Sequence, residues 1–257
     1  PMSVSRGMLI APPNLSGWRE VPVADWMRRA TDRVVYINND ANAAALAEYL
    51  WGEFRGTPDL VYLTLSTGIG AGVISGGQLV QGARDLGGEV GHHVLDRDGP
   101  PCPCGQRGCL EVYCGGLNVA RRLRESIAGG RRSVALEIAG GTLDRIDFKT
   151  LVAAARQQDE VALELWNEFV ERLAQGIGTI LMFFNPSVVV LGTIAIHTGE
   201  FLLAPLRAAL PRYAWAVSRE GVTIAPSRLG ERVGDLAALA VAVHVAHEAG
   251  AIRSANA

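Results

Sequence analysis

Short apolar runs alternate along this chain with segments whose apolar residues recur every three or four positions. Strands are predicted where the runs are β-branched or continuously apolar, at 33–37, 60–66, 73–75, 79–81, 187–192 and 222–226. Helices are predicted from the longer periodic or alanine-rich segments, at 41–54, 114–127, 150–156, 159–183, 200–209 and 233–249. Because strands and helices alternate, the pattern predicts an α/β protein.

One apolar stretch has the composition of a membrane span, since residues 174–197 contain no Asp, Glu, Lys or Arg. Asn185 and Pro186 interrupt it, which predicts a helix, a break and a buried strand, with no membrane association. No signal peptide is visible, and the cysteines are spaced more like metal ligands than disulfides. Both observations predict a cytoplasmic protein.

Composition and charge exclude several classes of function. The 257 residues are 49% hydrophobic and 19% charged, which predicts a folded protein of one or two domains. The formal net charge is −2, so the surface is not the uniformly basic one of a stand-alone nucleic-acid binder. Lys149 is the only lysine and no G-x-x-x-x-G-K-[ST] motif is present, which excludes P-loop chemistry.

Residues 87–116 are rich in Gly, Pro and Cys and lack periodicity, so something other than secondary structure must organise them. Three thiolates and one imidazole form a closed tetrahedral zinc set, which predicts a structural zinc ion. Its predicted ligands, in an H-x9-C-x-C-x4-C pattern, are His92, Cys102, Cys104 and Cys109. His93 is an alternative to His92, Cys114 is an alternative to Cys109, and unliganded reduced cysteines are the remaining hypothesis.

Asn39 and Asp40 lie at a predicted junction between a strand and a helix. Reacting groups in α/β proteins are often placed there, and an aspartate can act as a general base on a sugar hydroxyl. The competing hypothesis is that Asp40 caps the helix, because Asp is a favoured N-cap residue.

A glycine-rich loop, Ser66 to Gly72, is predicted between two strands. Its glycines would allow backbone N–H groups to approach a phosphate, although a hairpin that only needs positive φ explains them equally well. The loop is not a G-x-G-x-x-G motif because Val73 occupies the last glycine position. A dinucleotide site is therefore not favoured.

Two carboxylates, Glu89 and Glu111, flank the predicted zinc loop. Carboxylates anchored beside a metal loop are suited to accept hydrogen bonds from adjacent sugar hydroxyls. The alternative is that both are ordinary surface glutamates.

Four segments together closely resemble the ROK family of bacterial sugar kinases and sugar-responsive repressors: NLSGW at 14–18, NNDANAAALAE at 38–48, LSTGIGAG at 65–72 and EVGH-x9-CPCGQRGCLE at 89–111. The resemblance extends from Pro1 to the terminal helix. It implies a two-lobed actin-like ATPase (ribonuclease H-like) fold with a sugar in the cleft. Residues 1–39 and 232–257 would form the remainder of a small N-terminal lobe, and residues 40–231 the large lobe.

The resemblance also implies roles for individual residues. Asp40 would take the proton from the 6-hydroxyl of a hexose, most simply glucose, as that oxygen attacks the γ-phosphate of Mg-ATP. The sugar would be bound by Asn39, Glu89, His92 and Glu111. The nucleotide phosphates would lie against Thr67, Gly68, Gly70 and Gly192. Family members are usually homodimers or tetramers, so a homo-oligomer is expected, and a kinase of this kind needs no nucleic-acid partner.

The sequence departs from the family's kinases in two places. The D-x-G-G-T phosphate loop expected upstream is absent, which predicts a first lobe truncated at its N-terminus and a chain that by itself cannot hold ATP productively. Thr193 follows Gly192 where the kinases have a Gly-Gly pair. Two alternatives to a kinase therefore stay open: a sugar-sensing repressor with a DNA-binding domain upstream, and a zinc-stabilised sugar-binding domain without catalysis.

Overall fold

The computed structural model describes residues 2–12, 15 and 17–248, so Asn14 and Ser16 of the NLSGW segment lie outside the described residues. The strands are β1 (Met2–Ser3), β2 (Met8–Leu9), β3 (Leu60–Leu65), β4 (Ile69–Ser75), β5 (Gln78–Leu79), β6 (Val188–Leu191) and β7 (Thr223–Pro226). The helices are α1 (Val23–Thr31), α2 (Asp40–Trp51), α3 (Leu110–Cys114), α4 (Gly116–Ala128), α5 (Ala135–Ile138), α6 (Phe148–Arg156), α7 (Glu160–Phe184), α8 (Thr193–Thr198), α9 (Glu200–Ala209), α10 (Ala216–Arg219) and α11 (Val233–Glu248).

The main sheet of the described residues has the strand order β5-β4-β3-β6-β7. Strands β3, β4 and β5 form an antiparallel meander, whereas β6 and β7 run parallel to β3. The meander turns at Gly76 and Gly77, which have φ values of 56° and 77° and so explain the glycine pair between β4 and β5. The predicted α/β class is confirmed.

The two faces of this sheet carry separate apolar cores. On β3, Val61 and Leu63 face the larger core, which is formed with α3, α4, α6, α7 and α9. Leu60 and Tyr62 face the opposite side, where they pack against α2 and α11. Because both faces are covered, β3 has the continuous apolar sequence of a doubly buried strand rather than an alternating one.

The charge-poor stretch forms the predicted helix, break and strand. Helix α7 ends at Phe184, and Asn185 takes a left-handed conformation with φ of 44° as its C-cap. Strand β6 then begins at Val188 and is buried along its length. Among the described residues, none of the helices combines the length and apolarity needed to cross a bilayer.

The strand predicted at 33–37 is wrong. This segment has no regular secondary structure, and Val34 is 75% exposed. Its β-branched residues satisfy the local propensity for a strand, but no described strand pairs with the segment. A strand is stable only when a neighbour supplies hydrogen-bond partners, and the sequence pattern does not contain that information.

The glycine-rich loop predicted at 66–72 is also shorter than expected. Strand β4 already begins at Ile69, so Gly70 and Gly72 belong to the strand. A Cβ atom at position 72 would lie 2.5 Å from the Cβ atom of Ala45 and 2.5 Å from the carbonyl oxygen of Ala41. Position 72 therefore needs glycine because α2 crosses β4 at this point.

The N-terminal residues form a small hairpin apart from the main sheet, in which Met2 pairs with Leu9 and Leu9 bridges to Val21. The other terminal element, α11, packs against α2 and shares the smaller core with it. The division of the chain into a small lobe and a large lobe stays a prediction.

A buried carboxyl links α2 to the chain after β7. Glu48 is 1% exposed, and its Oε1 atom is hydrogen-bonded to the hydroxyl of Ser227. Its Oε2 atom is buried and has no hydrogen-bond partner among the described residues. Burial raises the pKa of Glu48 above its ordinary value of 4.5, the hydrogen bond from Ser227 opposes this, and the charge of Glu53 adds to it.

Replacing this carboxyl by an amide, Glu48→Gln, should increase the stability of the protein more at pH 8 than at pH 5. The raised pKa means that the favourable contribution of Glu48 is complete below pH 4.5 and is lost as the pH rises through its folded-state pKa. Urea unfolding at both pH values measures the difference between the variant and the wild type. The exposed Glu164→Gln is the control, and a stability difference for Glu48→Gln that does not change with pH would contradict the expectation.

Candidate functional site

Several of the predicted site segments pack against the start of β4. A Cβ atom at position 70 would lie 3.2 Å from the Cβ atom of Ala41, and one at position 88 would lie 2.6 Å from the carbonyl oxygen of Ala71. Gly91 packs against the carbonyl oxygen of Ile69 in the same way. The start of α2 and the segment that carries Glu89 and His92 are thus both brought against β4 through glycine contacts.

At the start of α2, Asn39 and not Asp40 is the N-cap. The Oδ1 atom of Asn39 accepts hydrogen bonds from the backbone N–H groups of Ala41 at 2.9 Å and Asn42 at 3.4 Å. Asp40 is the first helical residue, is exposed, and uses Oδ1 to accept from the N–H of Ala41. Its Oδ2 atom has no hydrogen-bond partner in the described part of the chain. The competing hypothesis that Asp40 caps the helix is therefore not what the structure shows.

Glu111 lies in the first turn of α3 and reaches the turn between β3 and β4. Its Oε2 atom accepts a hydrogen bond from the N–H of Ile69 at 3.0 Å. A Cβ atom at position 68 would lie only 2.5 Å from this oxygen, so Gly68 is required by the close approach of Glu111. The Oε1 atom of Glu111 has no partner among the described residues and remains available to a ligand.

The backbone groups of the turn before β4 are partly occupied by the protein itself. The carbonyl oxygens of Ser66 and Thr67 accept from the N–H groups of Gly116 at 2.9 Å and Leu117 at 3.2 Å, at the start of α4. The Thr67 side chain is exposed. A phosphate would need N–H donors here, and two of them are already used: the N–H of Ser66 donates to the carbonyl oxygen of Gly68 at 3.1 Å, and that of Ile69 donates to Glu111.

Gly192, the fourth predicted phosphate contact, lies between β6 and α8. Its N–H donates to the carbonyl oxygen of Leu63 at 2.9 Å, and a Cβ atom there would lie 2.5 Å from the hydroxyl of Tyr62. Burial, together with the charges of Glu48 and Asp40, raises the pKa of Tyr62 to about 12. This hydroxyl is therefore protonated at neutral pH and can serve as a hydrogen-bond donor.

The four predicted metal ligands come together. One ligand atom from each of His92, Cys102, Cys104 and Cys109 lies within 4.8 Å of the others. The Nδ1 atom of His92 is 3.7 Å from the Sγ atom of Cys102, and the Sγ atoms of Cys104 and Cys109 are also 3.7 Å apart. These separations match the edges of a tetrahedron of about 3.8 Å that Zn–S bonds of about 2.3 Å produce. The donor set therefore fits a zinc ion.

Neither alternative ligand belongs to this cluster. His93 places Nδ1 against the carbonyl oxygen of Val90 at 2.5 Å. Cys114 is buried in α3, and its thiol donates to the carbonyl oxygen of Phe169 at 3.5 Å.

Burial raises the pKa of the Cys109 thiol to about 12, whereas a backbone hydrogen bond from Gln106 lowers the pKa of Cys104.

Two cavities adjoin at the turn before β4. The first has a volume of about 600 Å³ and extends from Ser66 and Thr67 between α4, α6 and α8. The second, of about 520 Å³, is lined by Asp40, by Ala43 and Ala44 of α2, and by residues of α11. Ser66 and Thr193 line both cavities, so they mark the place where a molecule in one would meet a molecule in the other.

Most residues that line the first cavity are not predicted by any sequence motif. Its charged and ring-bearing lining includes Arg124, Asp144, Asp147, Phe148, Lys149, Arg156 and His197. These residues come from distant parts of the chain and share no motif. Lys149 is distinguished in the sequence only because it is the single lysine.

The chain is similar to known proteins along almost its whole length. The model of the ROK family matches residues 1–245. A glucokinase of Thermotoga maritima is 36% identical over 243 residues, which are 94% of this chain and 76% of that protein. A xylose repressor of Caldicellulosiruptor bescii is 30% identical over 237 residues, 92% of this chain and 59% of the repressor.

Solved structures give the same result. A ROK family glucokinase from Streptomyces griseus, in complex with glucose and AMPPNP, superposes with a TM-score of 0.82 at 30% identity, covering 92% of this chain and 77% of that one. The ROK hexokinase from Thermus thermophilus has a TM-score of 0.79 at 34% identity, covering 96% and 77%. The predicted actin-like ATPase fold is confirmed. By both sequence and fold, the chain belongs to the ROK family.

Proposed function

We propose that this protein transfers the γ-phosphoryl group of ATP to the 6-hydroxyl of a hexose, with glucose as the first candidate. The observation that carries the proposal is Asp40, an aspartate released from helix capping by Asn39 and exposed on the wall of a cavity that adjoins a second one. The glucokinase of T. maritima, and the S. griseus glucokinase that binds glucose and AMPPNP, support this choice of reaction.

Asp40 acts as the general base in this proposal. Its free Oδ2 atom accepts the proton of the sugar hydroxyl as that oxygen attacks the phosphorus atom. Asn39 uses its Oδ1 atom in capping, so its Nδ2 group is the part that donates to the sugar.

The remaining sugar contacts come from Glu89, His92 and the free Oε1 atom of Glu111. The nucleotide occupies the first cavity, with its phosphates toward Ser66 and Thr67 and its base between α6 and α8. Mg²⁺ bound to the phosphates supplies the charge neutralisation that phosphoryl transfer needs. The transfer then takes place where the two cavities meet, beside Thr193.

Zinc has a structural role in this proposal. With three thiolates and one imidazole, the protein fills all four positions of a tetrahedral ion, and no position remains for a substrate. The ion would fix the irregular segment that carries Glu89 and His92 and that leads into Glu111. Zinc therefore acts on the sugar site by holding its loop in place.

A sugar-responsive repressor is the second candidate, because a xylose repressor is 30% identical to this chain. Retention of Asp40 and of the adjoining cavities favours the kinase, since a sensor needs neither a base nor a donor site. A homo-oligomeric state and a cytoplasmic location are further predictions from the sequence.

The first test is the release of ADP from MgATP in the presence of a panel of hexoses. It is run on this chain and on a version carrying any upstream coding sequence. The version with upstream sequence should turn over, fastest with glucose, and in it Asp40→Asn should lower kcat by about 10²- to 10⁴-fold while sugar affinity is retained.

Asp25→Asn is the matched control, since Asp25 is an acidic residue in the first turn of α1 and has no assigned role. It should leave kcat unchanged. Sugar binding without any turnover, in both versions of the protein, would sink the kinase proposal and direct the next measurement to DNA binding.

Removal of the predicted zinc should lower both the melting temperature and the affinity for sugar. Cys104→Ser should lose the metal, because Cys104 is an exposed ligand whose replacement disturbs no core packing. Cys114→Ser should retain one zinc ion per chain, because Cys114 lies outside the cluster. Elemental analysis and thermal unfolding measure both effects, and equal metal content in the two variants would show that the ligand assignment is wrong.

A further inference from the structure

Asn42 is buried at the start of α2, next to the residues that have a proposed role. It is 2% exposed, and its Nδ2 group donates to the Oδ1 atom of Asn38 at 3.3 Å. The same oxygen accepts the backbone N–H of Asn39 at 2.8 Å. A single oxygen atom therefore joins Asn42 to the main chain immediately before Asp40.

The orientation of the two amides follows from these contacts. A backbone N–H can only donate, so the Asn38 atom that receives it must be Oδ1, and the Asn42 atom that faces Oδ1 must be its amino group. The Oδ1 atom of Asn42 then points away, buried and without a hydrogen-bond partner among the described residues. A Cβ atom at position 88 would lie 3.8 Å from it. Asn42 thus lies between the segment before Asp40, the proposed base, and the segment before Glu89.

The main chain at Asn42 is fixed by packing. A Cβ atom at position 72 would lie 2.9 Å from the Cα atom of Asn42, so α2 rests directly on β4 here. The segment before α2, in contrast, has no regular structure from position 34 to position 39. The link between Asn42 and Asn38 therefore connects a fixed element to an irregular segment whose end carries Asn39 and Asp40.

From this arrangement we infer that Asn42 is a positioning residue for phosphoryl transfer, acting through Asn38 to hold the backbone at Asn39 and Asp40. Asn42 lines neither of the two cavities in which the substrates are proposed to bind. The inference rests on the proposed function, in which the carboxylate of Asp40 must line up with a sugar hydroxyl. A misplacement of about 1 Å at a reacting group can lower the rate about 10²-fold.

The test is steady-state kinetics of the intact protein with glucose and MgATP, for the wild type, Asn42→Ala, Asn38→Ala and the double variant. Each single variant should lower kcat about 10- to 100-fold and leave the KM for ATP unchanged within about twofold. The double variant should be no slower than the slower single variant, because both substitutions break the same link.

Asp159→Ala is the control for a purely structural effect. It removes the N-cap of α7, where Asp159 accepts from the N–H of Ala162 at 2.9 Å, and it lines neither cavity. It should lower the melting temperature and leave kcat at the wild-type value. If Asn42→Ala does not fold, Asn38→Ala carries the test alone, with the same expected loss of kcat.

Single variants with wild-type kcat, or losses that multiply in the double variant, would overturn the inference. A wild type without turnover on any hexose would refute the proposed function and the inference together. An active wild type with unaffected variants would refute the inference only, so the two failures are distinguishable.

Discussion

The close packing of helix α2 on strand β4 is the constraint on which the site depends. Gly70 and Gly72 have no side chains, so the helix backbone rests directly on the strand. This contact sets the height of the first turn of α2 above the sheet, and with it the position of Asp40. The same strand receives Glu111 at the N–H of Ile69. Asp40 and Glu111, which are 71 positions apart in the sequence, are thereby both positioned by β4.

The cluster of predicted zinc ligands lies in a segment of a different kind. The segment between His92 and Cys109 contains no helix or regular strand. It is held by isolated bridges, such as the one between Pro101 and Arg107, and by hydrogen bonds from Tyr113 and Arg172 to Asp96. The four predicted ligand atoms lie within 4.8 Å of one another, so a zinc ion bound to them would order this segment. Only Leu110 separates Cys109 from Glu111 at the start of α3. The predicted zinc cluster is therefore directly connected to the residue that contacts the start of β4.

The sequence predicted those parts of the structure whose cause is local. Helix α7 and strands β3 and β6 follow from apolar patterning, and the spacing of His92 and the cysteines predicted a four-residue cluster that the structure brings together. The segment at 33–37 failed because strand formation depends on a partner strand. The glycines of β4 were assigned to a loop because the helix that requires them lies more than 20 residues upstream. The first cavity was missed because its lining is assembled only by folding.

Asn39 illustrates how strongly a single position can be restricted. Its side-chain Oδ1 atom accepts from the N–H groups at the helix terminus, and in the proposed function its side-chain amino group donates to the sugar. Serine, threonine or aspartate would serve the helix but lack an amino group, and glutamine is too long to be a favoured cap. Within the standard amino acids, only asparagine meets both demands. The mutational tolerance of this position should therefore be close to nil, although the residue is small, uncharged and only half-buried.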